Sequence, residues 1–139
     1  MFQDWVSIAT LPIYGEVVKY TVMNKIFVVE DDIAVRESLQ VMLETKGFTV
    51  EAFDTGSAFL DQIDGKDDGV LLLDLQLPDM NGEEILATLS ERGKSISVIV
   101  MTGGANKTTK QRAMEIGAVI VLDKPINNSR LLEIIDNLL

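Results

Sequence analysis

The sequence contains no cysteine, no histidine and only three prolines in 139 residues. Without Cys there is no disulfide framework and no thiolate chemistry, so nothing points to an oxidising compartment. Without His the chain cannot be a phosphohistidine donor, and it lacks the usual base of a hydrolase triad. Any chemistry must run on carboxylates, hydroxyls and Lys. No segment reaches the roughly 18–20 apolar residues of a membrane helix. The N-terminus is not a signal peptide, because Asp4, Pro12 and Gly15 interrupt it. The expected location is therefore cytoplasmic, with no membrane partner. Positive charge is scarce: 12 Lys and Arg stand against 22 Asp and Glu, for a net charge of −10. That balance argues against direct nucleic-acid binding, which needs clustered cations to neutralise phosphates.

What remains is the composition of one soluble globular domain, 47% apolar and 24% charged. From Lys25 onward the pattern is regular. Short apolar runs rich in Val and Ile fall at 26–29, 70–73, 96–101 and 119–122, with a half-apolar one at 48–53. Continuous apolar runs of that length fit strands covered on both faces of a parallel sheet. Between them lie helical patterns: Val35, Leu39, Met42 and Leu43, ended by Gly47; Phe59, Leu60 and Ile63, with Asp54 or Thr55 as N-cap; Ile85, Leu86 and Leu89 after Asn81-Gly82; and Leu131, Ile134, Ile135 and Leu138. The stretch 107–116 offers only Ala113, Met114 and Ile116 for burial, so a loosely held fourth helix is expected there. The fold class is α/β: a three-layer, doubly wound, five-stranded parallel sheet in a (βα)5 arrangement of flavodoxin-like type.

Right-handed crossovers bring the C-terminal ends of such strands to one edge, where ligands bind. The residues following the apolar runs are Glu30-Asp31-Asp32, Asp74, Thr102-Gly103-Gly104 and Asp123-Lys124-Pro125. Acidic groups, a hydroxyl and an ammonium would then share one pocket. Two carboxylates about 6 Å apart repel by roughly 3 kcal/mol at an effective dielectric near 20. Such a cluster needs a cation, and a hard divalent ion such as Mg²⁺ suits carboxylate, carbonyl and water ligands. The remaining oxygen of Asp74 is then a nucleophile toward phosphorus. Each residue also has a structural reading: Asp after a strand serves turns, and an acidic run suits a helix N-terminus. Asp32 is the expected cap and Asp31 the expected ligand.

The segments VVEDD with Arg36 following, LLLDLQLPDMNG, VIVMTGGA and LDKP stand in order and at family-like spacing. Over residues 24–139 they resemble the CheY-like receiver domain of two-component response regulators. The resemblance implies that Asp74 accepts a phosphoryl group from the phosphohistidine of a sensor histidine kinase or a histidine phosphotransfer protein. It implies that Asp31, Asp74 and the Gln76 carbonyl ligate Mg²⁺, with Glu30 acting mostly through water. Thr102 would be the switch hydroxyl, Lys124 would pair with the phosphoryl group, and Lys124–Pro125 would be cis. A receiver of this kind is a signalling phosphoacceptor with self-catalysed gain and loss of phosphate, not an enzyme with a turnover substrate. Its downstream protein target is unspecified. One position departs from the pattern: Val121 stands where most family members carry Tyr or Phe. Output is then expected to rely on Thr102 and the fourth helix.

The alternative function is a Mg²⁺-dependent aspartyl-phosphate phosphatase, but the position of its general acid/base holds Gln76. A flavodoxin-like mononucleotide carrier is disfavoured because Glu30-Asp31-Asp32 would repel phosphate. The domain is expected at 23–139. Residues 1–22, with Trp5, Ile8, Leu11, Ile13, Val17, Val18 and Tyr20, have two readings. They are either a mis-assigned start, Met23 being the initiator, or an extra strand or self-association patch supporting a homodimer. The chain ends with the fifth helix, as a stand-alone receiver or a piece of a longer regulator.

Overall fold

The computed structural model of the chain describes residues 25–63 and 68–139. The expected extension at 1–22 lies outside the described residues. Five strands alternate with five helices: β1 (Lys25–Val29), α1 (Ile33–Thr45), β2 (Thr49–Phe53), α2 (Gly56–Gln62), β3 (Asp68–Asp74), α3 (Gly82–Glu91), β4 (Ser95–Thr102), α4 (Lys107–Ile116), β5 (Ala118–Asp123) and α5 (Asn128–Leu138). The strands form one parallel sheet in the order β2-β1-β3-β4-β5.

The apolar runs are continuous because both faces of the central strands are covered. Phe27, Val29, Leu71, Leu73, Val98 and Val100 face a core with Phe59 of α2, Ile85, Leu86 and Leu89 of α3 and Ala113 of α4. The alternate residues Ile26, Val28, Val70, Leu72, Ile99 and Met101 face Leu39 and Leu43 of α1 and Leu131 and Ile135 of α5. Each helix begins at a side chain that accepts an orphan backbone N–H: Asp32 from Val35, Thr55 from Ala58, Asn81 from Glu84, Asn106 from Thr109 and Asn127 from Arg130. Of the two candidates before α2, Thr55 is the cap. Gly47, expected as the stop of α1, takes φ 96°, a region open mainly to glycine.

Two expectations need correction. β5 is not covered on both faces: it lies at the sheet edge, and Val119 is 42% exposed. In α4 only Ala113 is buried, while Met114, expected inside, is 46% exposed. A helix covering an edge strand has one narrow line of contact, and Ala113 occupies it with the partly buried Ile116.

Strand register decides what meets at the C-terminal edge. Val29 lies beside Leu73, Asp74 beside Met101, and Thr102 beside Asp123. Glu30, Asp74, Thr102 and Lys124 are therefore neighbours across four strands, although 94 positions separate Glu30 from Lys124. The energetics of this scaffold rest on its buried stripes. Ile135→Ala should lower unfolding free energy by about 2–4 kcal/mol, whereas Met114→Ala should stay within about 0.5 kcal/mol. Chemical denaturation of the two variants measures the contrast.

Candidate functional site

Glu30 and Asp31 occupy the turn between β1 and α1, and Asp74 ends β3. Their carboxylates each offer an oxygen within 4.8 Å of the others. Glu30 is fully buried, Asp74 is 4% exposed and Asp31 is exposed, so the cluster opens to solvent at Asp31. Lys124, following β5 across a cis peptide to Pro125, reaches into it. Its Nζ donates to Glu30 Oε1 at 2.5 Å and to Asp74 Oδ2 at 3.3 Å. The second Glu30 oxygen, Oε2, is buried with no hydrogen-bond partner among the described residues. Three carboxylates and one ammonium leave two negative charges in a partly dry pocket. An orphaned buried oxygen and that charge deficit are what a hard divalent cation relieves, so the donor set fits Mg²⁺.

The loop after Asp74 is held from several sides. Gln76 N–H donates to Asp74 Oδ1 at 3.0 Å, and Leu75 N–H donates to the Met101 carbonyl at 3.1 Å. Gly82 closes the loop by donating to the Leu75 carbonyl at 3.0 Å. A Cβ at Gly82 would sit 2.9 Å from Leu75 Cα, so only glycine permits that approach. Asp79 accepts from Gly56 N–H at 3.0 Å and Ser57 N–H at 2.8 Å, tying the loop to the start of α2. The Ser57 hydroxyl also donates to Asp79 and holds its carboxyl below the usual range. Thr102 is 1% exposed, and its Oγ1 accepts from Ala105 N–H at 3.2 Å. An open depression of about 330 Å³ lies beside the loop after Asp74, lined in part by Gln76, Thr102 and Gly104. Glu30, Asp31, Asp74, Thr102 and Lys124 are thus brought together, with Gln76 at the rim. Val121 stands apart, packed against the core on the α2–α3–α4 face.

Three contacts were not foreseen. Arg36 donates to the Glu30 and Asp31 carbonyls. Asp79 caps α2 from 22 positions away. Lys110 pairs with Asp123 at 2.8 Å, joining α4 to the end of β5. Only Arg36 carried a sequence signal, through its place after VVEDD.

Comparison with known proteins bears on this arrangement. The model of the response regulator receiver domain matches residues 26–136. The chain belongs to the response regulator receiver family. It is similar to the transcriptional regulatory protein FixJ of Bradyrhizobium diazoefficiens, at 34% identity over 84% of this chain and 57% of that protein. It also resembles the response regulator protein TodT of Pseudomonas putida, at 33% identity over 77% of this chain and 47% of that protein. Among solved structures, a CheY-like receiver domain protein from Methanospirillum hungatei JF-1 superimposes with a TM-score of 0.77. That match has 32% identity and covers 83% of this chain and 92% of the other. The receiver spans about half the length of the curated relatives it matches. Among its described residues no helix is long and apolar enough to cross a membrane.

The electrostatics of the receiver's pocket are measurable. Burial raises the Glu30 carboxyl from 4.5 to about 7; the neighbouring Asp74 carboxyl adds to the rise and Lys124 opposes it. Burial alone would lower Lys124, but its bond to Glu30 and the two carboxylate charges hold it above 10.5. Between 4.5 and about 7 the folded chain binds more protons at Glu30 than the unfolded chain. Stability from this group therefore falls as pH rises through that window. In metal-free buffer, the urea midpoint of the wild type should drop between about pH 5 and pH 8 more than that of Glu30→Gln. Parallel pH profiles would contradict the assignment.

Proposed function

We propose that this receiver accepts a phosphoryl group on Asp74 from the phosphohistidine of a sensor histidine kinase or a histidine phosphotransfer protein. The observation that carries the reading is the convergence of Glu30, Asp31 and Asp74 within 4.8 Å around the Lys124 ammonium. The 139 residues hold no His, so the phosphohistidine lies outside them. A carboxylate oxygen of Asp74 attacks phosphorus, the phosphorus–nitrogen bond of the donor breaks, and an acyl phosphate forms. Such transfer needs positioning and charge neutralisation more than covalent help. Lys124 supplies a positive charge already aimed at Asp74, and Thr102 supplies a hydroxyl at the end of the neighbouring strand. Asp31, Asp74 and the Gln76 carbonyl would hold Mg²⁺, with Glu30 reaching it through water. When bound, the ion supplies charge neutralisation for the phosphoryl oxygens.

In the resting chain the Thr102 hydroxyl accepts from Ala105 N–H at the start of the loop into α4. Turning that hydroxyl toward a phosphoryl group gives up this bond. The helix it leads to has one buried residue and is tied by the exposed pairs Lys110–Asp123 and Arg112–Glu83. Val121 has no ring to swing, so the signal passes through this loop and helix. The altered surface addresses a protein target, with a second copy of the chain as one occupant. The Gln76 side chain offers no proton-transfer group, which leaves the phosphatase alternative without its acid/base.

Incubation with Mg²⁺ and acetyl phosphate should add one phosphoryl group to the wild type by intact mass. Asp74→Asn, or the wild type with chelator, should gain none. A phosphorylated mutant, or an unmodified wild type, overturns the proposal. Hydrogen exchange across residues 102–116 should speed up on phosphorylation. Identical protection in the two forms would count against the loop-and-helix route.

A further inference from the structure

Arg36 has no part in the roles assigned above, yet it holds the turn that carries two of the acids. It is the fourth residue of α1, and its backbone N–H donates to the Asp32 carbonyl at 2.9 Å, so its Cα is fixed relative to the turn. Its Nη1 then reaches back to donate to the Glu30 carbonyl at 2.9 Å and the Asp31 carbonyl at 3.3 Å. The same turn is anchored on its other side by Glu30 N–H, which donates to the Phe53 carbonyl at 3.0 Å. Beyond it, Asp32 caps α1 through Val35 N–H at 3.1 Å. A guanidinium holding two consecutive carbonyls fixes the peptide planes on either side of Asp31. Those planes set where the Asp31 side chain leaves the backbone. This matters most at Asp31, the exposed member of the acidic cluster, because packing does not hold its side chain.

We infer that Arg36 is a positioning residue for the divalent-cation site, acting through the backbone of Glu30 and Asp31. The inference rests on the reading that these acids bind Mg²⁺. Two opposed effects make it testable. A guanidinium charge near a cation repels it, so if charge were its whole contribution, removing Arg36 would tighten Mg²⁺ binding. If Arg36 aims the ligands, removing it weakens binding, in the manner of other groups that orient metal ligands from behind. A merely structural role would lower thermal stability and leave the affinity of the folded protein unchanged.

The experiment is titration of Mg²⁺ into the full 139-residue chain, followed by backbone amide shifts, for wild type, Arg36→Gln and Arg36→Lys. Amide spectra also report whether each variant is folded. Arg36→Gln should bind Mg²⁺ about tenfold more weakly than wild type. Arg36→Lys, which keeps the charge on a shorter side chain without the planar guanidinium whose Nη1 meets both carbonyls, should fall between them. Equal or tighter binding by folded Arg36→Gln overturns the inference and leaves the Mg²⁺ reading intact. Should Arg36→Gln fail to fold, Arg36→Lys decides: weaker binding supports the clamp, and wild-type affinity overturns it. A wild type that binds no Mg²⁺ defeats the functional proposal and the clamp with it.

Discussion

Carboxylates do not crowd together without compensation. In this receiver Glu30, Asp31 and Asp74 bring oxygens within 4.8 Å of one another, with a single ammonium among them. Burial makes the arrangement costlier, as the raised Glu30 carboxyl records. The rest of the molecule can be understood as the means of holding this cluster. Parallel register sets the ends of β1, β3, β4 and β5 side by side, and helices on both faces stiffen the strands. Gly82, Asp79 and Leu75 fasten the loop that follows Asp74. Arg36 and Phe53 fasten the turn that carries the other two acids. Proteins tolerate local frustration of this kind where it serves a site, with neighbouring structure over-determining the geometry.

Much of this was legible in the chain itself, for a definite reason. Central strands of a parallel sheet are buried on both faces, so they appear as unbroken apolar runs at 26–29, 70–73 and 98–101. Because crossovers have one hand, the residues after those runs share an edge, and Asp74, Thr102 and Lys124 follow without coordinates. What escaped was contact between side chains on separately placed elements. Asp79 and Ser57 meet only because α2 and α3 pack side by side, and no local period announces it. Lys110 and Asp123 meet because α4 crosses the edge strand at one angle rather than another. Met114 was misplaced for a related reason. In a helix with so few apolar residues the buried face is set by Ala113 with Ile116 partly buried beside it, and hydrophobicity alone does not set Met114 apart from them.

The peripheral half of the structure is built differently from the centre. β5 lies at the edge with Val119 exposed, and α4 is tied by exposed ion pairs that salt weakens. Elements that move are drawn from such lightly held regions. Thr102 sits at the boundary, its backbone within β4 and its hydroxyl bonded into the loop toward α4. The matched segment covers about half of the curated relatives, and they include proteins described as transcriptional regulators. The Asp74 pocket is thus held from many sides, and the α4–β5 side from few.

In this account two distant segments, 30–31 and 74–76, converge on one cation beside the Lys124 ammonium. Mn²⁺ is a hard, oxygen-seeking substitute for Mg²⁺ whose unpaired electrons broaden nearby amide signals. Adding a small amount to the isotopically labelled protein should erase the amides of residues 30–32, 74–76 and 124 together, and excess Mg²⁺ should restore them. Broadening that spreads over unrelated acidic surface, or that spares Asp74 while affecting Asp31, would contradict the account.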